Sequence, residues 1–192
     1  MYVVRYSLRR SICNGALIVA IILSVTPMYA AAEDAQIVRD FEARVAKYVD
    51  QRKRDAGSAP RPTNSTEKIA ESRQDIASKT KAARSNAKQG DVFTPAIAAY
   101  MRKRISEALA GPSGRKIRAS LRHAEPVDGI HLQVNETYPQ KVPLQSTPPS
   151  LLLRLPTLPD GLEYRIVGSN LVLRDTAPNI VVDFIPNAIP PA

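Results

Sequence analysis

The chain has 192 residues with a formal net charge of +9, 44% hydrophobic and 5% aromatic residues, no tryptophan and a single cysteine, Cys13. That length suits one domain, with or without appendages, and can bury a core without covalent staples. One cysteine excludes an intramolecular disulfide framework, and the scarcity of aromatics argues against recognition by stacking on bases or sugars.

The first 32 residues read as a targeting segment. Arg5, Arg9 and Arg10, with no acid among them, precede an apolar run from Ala16 to Val25. Pro27 is expected to break the run, and Ala30-Ala31-Ala32 offers small residues for cleavage. Basic start, short apolar stretch and A-x-A site together form a secretory signal peptide pattern. A membrane span needs about 20 apolar residues, and this run is roughly half that. The expectation is an exported protein, periplasmic or secreted, with no transmembrane segment after cleavage. Cys13 would leave with the signal.

Without residues 1–32 the charge is uneven. Residues 33–63 are nearly balanced, residues 64–124 hold thirteen basic and five acidic side chains, and residues 125–192 hold four basic and seven acidic. The basic middle can face an external anionic partner, dock on the acidic C-terminal part of its own chain, or simply be solvated.

Residues 34–54 carry Ile37, Phe41, Val45 and Tyr48 on one helical face, with Val38 and Val49 at its edge. Gly57 ends that helix, and Ala59-Pro60-Arg61-Pro62 makes 56–63 a linker. A second helix is expected from Asn64 as N-cap, with Glu67 three residues on, to about Gln89 before Gly90. Its apolar face is thin, comprising Ile69, Ile76, Thr80, Ala83 and Ala87. A third runs from Thr94-Pro95 to Gly111-Pro112, with Ile97, Met101, Ile105, Ala108 and Leu109 in one stripe. A brief fourth spans Arg115–His123 around Ile117 and Leu121.

The period then changes to two. Ile130, Leu132 and Val134 alternate with His131 and Gln133, as in a strand. Ten of the sixteen prolines fall between Pro139 and Pro191, which excludes long helices there. Between them lie Leu151–Leu155, Leu162–Val167, Asn170–Asp175 and Ile180–Ile185. Gly168-Ser169 and Ala177-Pro178-Asn179 are turns, so the last three segments form an antiparallel meander over 162–185. Asp160, Glu163, Asp175 and Asp183 are expected on turns or outward strand positions. The resulting fold class is α+β. A helical region 33–124 is followed by a proline-rich strand region 125–192 carrying a small C-terminal antiparallel β-meander.

The stretches AARSNAKQGDVFTP (82–95) and GLEYRIVGSNLVLRDTAPNIVVDFIP (161–186) resemble a family of uncharacterised secreted bacterial proteins. The terminal meander is also similar to that of small periplasmic nickel- and cobalt-homeostasis proteins. The resemblance implies a bacterial envelope protein and no particular activity.

Catalytic signatures are missing. There is no G-x-S-x-G elbow and no phosphate-binding glycine loop, so neither a catalytic residue nor a cofactor is expected. His123, Glu125, Asp128 and His131 match no established metal spacing. The concrete feature is basic: Lys81, Arg84 and Lys88 on one side of the second helix, Arg102 and Lys103 on the third, and Arg115, Lys116, Arg118 and Arg122 on the fourth. Arg in particular pairs with phosphate and carboxylate through two parallel bonds. These residues are the candidate anion-binding set. The sequence therefore reads as an exported, non-enzymatic accessory protein that engages an anionic envelope component or an acidic protein, with nucleic acid an improbable partner. The alternative is a hydrolase or metal-binding protein centred on His123 and His131.

Overall fold

The computed structural model describes residues 16–57, 64–122, 131–139 and 147–190, with side chains from Ala30 onward except that of Arg122. Residues 58–63 of the expected linker 56–63, together with His123 and Ile130, lie outside these. Compact units divide at Gln36/Ile37. In the first, the described backbone is helical from Ala16. The helix that begins there, α1 (Ala16–Ala56), passes through Pro27 without ending. An interior proline costs a helix about 3 kcal/mol, and here the strong helix formers Met28 and Ala30-Ala31-Ala32 follow it and favour continuing the helix.

The second unit, from Ile37 on, holds the folded body. It comprises the rest of α1, then α2 (Thr66–Ala83), α3 (Pro95–Ala110), α4 (Gly114–Arg122), a single turn α5 (Pro149–Leu152), and strands β1 (Leu162–Val167), β2 (Asn170–Asp175) and β3 (Ile180–Ile185). The strands form an antiparallel sheet in the order β1-β2-β3, so helices followed by a small meander are what the chain builds.

One sheet face packs on the helices. Leu162, Tyr164, Ile166, Leu171, Leu173 and Ile185 join Phe41, Val45, Tyr48 and Val49 of α1, Ile97, Met101, Ile105 and Leu109 of α3, and Ile117 of α4 in one buried cluster. The opposite face buries Val167, Val172 and Val181 beneath Tyr138, with Leu132 and Phe184 partly covered. Period-two alternation sends neighbouring residues to opposite faces, and both faces are apolar enough to need cover. The register shifts at Leu173/Arg174: Leu173 pairs with Asp183 and Arg174 with Val181, leaving Val182 as the extra residue of a bulge. The bulge turns Val182 into the main cluster beside Asp183.

Several local expectations need correction. Ser65, not Asn64, caps α2: its hydroxyl accepts the Lys68 N–H at 3.3 Å and donates to Glu67 at 2.8 Å. The helix stops at Ala83, six residues before Gln89, because its last carbonyls are taken by a distant side chain. Asn135 Nδ2 donates to the Lys81 and Arg84 carbonyls at 2.9 and 3.0 Å. Only Thr80 of the thin α2 face is fully buried, and Ile69 stays 39% exposed. Residues 131–134 form no strand. Instead residues 135–138 cover the edge of β3, through Asn135 N–H to Val181 O, Val181 N–H to Glu136 O and Tyr138 N–H to Asn179 O, all 2.8 Å. Asn135 enters this stretch at φ 67°, a left-handed conformation that asparagine tolerates and that ends extended alternation. Leu151–Leu155 is not a strand either. Pro149 starts the α5 turn, and unbranched leucines suit it better than β-structure.

Candidate functional site

Asp175 and Asp183, expected in solvent, are the most deeply buried charges described, each 0% exposed. Leu171, Leu173 and Asp175 share one face of β2, so alternation aims Asp175 at the helices. Its Oδ2 accepts the Tyr48 hydroxyl at 2.6 Å, and its Oδ1 accepts Arg52 Nη1 at 2.7 Å and the Ala177 N–H at 3.2 Å. Gly161, at φ +85°, lets Arg52 through: a Cβ there would lie 3.0 Å from Arg52 Nη1. Burial first, then the charge and hydrogen bond of Asp175, push the Tyr48 hydroxyl far above its usual pKa near 10.

Asp183 binds the loop after α2. Its carboxylate accepts N–H groups from Gly90 (3.1 and 3.2 Å), Val92 (2.9 Å), Phe93 (2.8 Å) and Phe184 (2.8 Å). Phe93 then stacks on Phe41 of α1, ring centres 5.8 Å apart. A buried carboxylate needs this many donors to repay its lost hydration.

This framework sets the fate of the expected basic stripe. Arg84 has left the helix: it is the α2 C-cap, its Nη2 donates to Val182 O at 3.1 Å, and its guanidinium lies 4.9 Å from the Tyr48 ring centre. Burial holds its pKa below the ordinary value, opposed by the charges of Tyr48, Asp183, Asp91 and Asp175. Lys81 pairs with Glu136 at 2.7 Å and donates to Thr137 at 3.2 Å. Arg102 donates to Pro186 O at 2.9 Å, and Arg118 to Leu109 O at 3.2 Å. Lys103 also has a partner. Lys81, Arg84 and Lys88 do not share a helical side, since Lys88 sits in the turn beyond α2. Lys88, Arg115 and Lys116 are exposed, and their side chains have no polar partner among the described residues. Arg122 ends α4. Much of the basic third is thus spent joining the helices to the C-terminal part.

A basic niche of about 370 Å³ opens between α1 and the 84–92 loop, lined by Arg44, Lys47, Tyr48, Gln51, Arg84, Asp91 and Val92. Arg44 and Lys47 escape sequence reasoning because residues 33–63 are balanced in charge. Their spacing of three on one helix side is the signal that could have found them. A larger, apolar groove of about 650 Å³ runs between α5, residues 155–158 and β1. Leu153 there is 85% and Leu152 40% exposed. Its ionised groups are already engaged: Glu163 takes Arg165 and Arg174, each at 2.6 Å. Chemistry able to seize a charged ligand therefore belongs to the niche and the free surface cations.

His131 is exposed, and no group of three or more potential metal-ligating His, Cys, Asp or Glu residues occurs among the described residues. His123, Glu125 and Asp128 lie outside them. No helix among the described residues is long and apolar enough to cross a membrane. No protein-family model, curated protein or solved structure matches the chain.

Proposed function

We propose that the protein is an exported, non-enzymatic accessory protein that binds an anionic component of a bacterial envelope. The observation that carries this reading is the free state of Lys88, Arg115 and Lys116, which are solvent-facing and unpaired among the described residues while four neighbouring cations are engaged internally. Unpaired surface cations attract polyanions through a field that salt screens over about 8–10 Å. The signal-like residues 1–32 and the resemblance to secreted bacterial proteins support the compartment.

Near an anionic surface each Lys or Arg contributes about 1 kcal/mol, so three together contribute about 3 kcal/mol, roughly a hundredfold in affinity. The test is co-sedimentation of the purified protein with anionic vesicles and with cell-wall sacculi at low and high salt. Binding that disappears at high salt, and falls about a hundredfold in the Lys88→Glu/Arg115→Glu/Lys116→Glu variant, is the expected result. Failure to bind either material at low salt overturns the reading.

A further inference from the structure

We propose that the niche between α1 and the 84–92 loop is a binding site for a phosphate group, held by Arg44, Lys47 and Arg84. It uses cations other than the three surface residues above, and it stands or falls separately.

Three nitrogen groups around this cavity are uncommitted among the described residues. Lys47 has no hydrogen bond or ion pair. Arg84 donates through Nη2 to Val182 O, whereas its Nη1 is buried and has no acceptor. Arg44 uses Nε on Asp40 at 2.9 Å and Nη1 on the Asp91 carbonyl at 3.0 Å, which leaves Nη2 unpaired. A buried guanidinium nitrogen without an acceptor is costly, and a tetrahedral oxyanion supplies acceptors in several directions at once.

The neighbouring acids do not fill that role. Asp183 is saturated by four backbone amides, and Asp175 by Tyr48, Arg52 and Ala177. Asp40 is engaged by Arg44. Asp91 does line the niche, but its carboxylate accepts the Lys88 N–H at 2.8 Å, closing the turn. Arg84 is also pre-set: stacking on Tyr48, which Asp175 holds, fixes the guanidinium plane before a ligand arrives. Such preorganisation lowers the entropy lost on binding. At about 370 Å³ the niche lies at the small end of ligand-site volumes. It has room for one phosphate and a modest substituent.

The experiment is calorimetric titration of the purified protein with inorganic phosphate at physiological ionic strength, alongside vesicles containing phosphatidate or phosphatidylglycerol. Saturable phosphate binding is expected, reduced at least tenfold in Lys47→Ala and abolished in Lys47→Glu, with circular dichroism unchanged. Lys47 is exposed, so neither variant disturbs the core. Asp91→Asn tightens binding by removing a like charge. The Arg115→Glu/Lys116→Glu variant keeps full phosphate affinity even where it loses co-sedimentation, which separates this site from the surface reading. A matching Lys47→Glu loss on phosphatidate vesicles identifies a lipid headgroup as the source of the phosphate. Loss of phosphate binding alone identifies a soluble phosphate compound. No saturable phosphate binding in the wild-type protein, or equal binding in Lys47→Glu, overturns the proposal.

Discussion

Replacing Asp183 tests the central structural reasoning most directly. In Asp183→Ala the Gly90, Val92, Phe93 and Phe184 amides lose their acceptor. Val92 and Phe93 are buried, so water cannot easily replace it there. Each stranded donor costs about 1–3 kcal/mol, which gives a loss of about 4 kcal/mol from these two alone. For a body of this size 1 kcal/mol corresponds to about 2–4 °C, so the melting temperature falls by about 8–16 °C. Asp183→Asn is the informative companion. Its remaining oxygen can occupy the Oδ2 position and keep Val92 and Phe93 satisfied, so it loses about 2 kcal/mol, chiefly from weaker, uncharged acceptance. Urea unfolding of the two variants supplies the numbers, and hydrogen exchange at the Val92 and Phe93 amides locates the damage. A loss below about 1 kcal/mol in Asp183→Ala, or equal losses in both variants, would refute the view that acceptor geometry at this carboxylate anchors the loop.

Three further outcomes are expected. Burial raises the pKa of Tyr48, Tyr164 and Tyr138. The folded state keeps these protons when the unfolded chain releases its own near pH 10, so stability is full below about 10 and declines above it. Absorbance at 295 nm should show the same folded-state amplitude near pH 10 in Tyr48→Phe as in wild type, and a smaller amplitude would contradict this. Gly114→Ala should destabilise despite alanine's better helix propensity, since its Cβ would overlap the Leu109 carbonyl oxygen. A loss of about 2 kcal/mol or more is expected in a thermal melt, and any stabilisation would show the contact to be relieved easily. Asn135→Ala removes the amide that takes the Lys81 and Arg84 carbonyls and should cost about 1 kcal/mol. Faster amide exchange confined to the last turn of α2 is its signature.

The meander was legible because Gly168-Ser169 and Ala177-Pro178-Asn179 punctuate three runs rich in β-branched and leucine residues. The third helix was legible because Thr94-Pro95 and Gly111-Pro112 mark both ends. The ends of α2 were not. Its stop depends on Asn135 and on a loop whose amides answer to Asp183, and no local window contains those residues. The burial of Asp175 could have been read from its parity with Leu171 and Leu173, but the usual solvation of carboxylates pointed the other way. Asp183 shares parity with Ile185 in the same manner, while the bulge that adds Val182 beside it leaves no mark in the sequence. The basic stripe was visible as composition, and its division into internal struts and free cations required the sheet to be in place.

The Asp183 anchor bears on the order in which the chain can become a protein. The amides of Gly90, Val92 and Phe93 are made about ninety residues before their acceptor. During synthesis the helices emerge first, yet the loop between α2 and α3 cannot complete its bonds until the last strand exists. Contacts of such long sequence separation make folding slow and late. A chain cut before β3 would lose more than one edge of the sheet, because the amides of Gly90, Val92 and Phe93, far away in sequence, would be left without their acceptor.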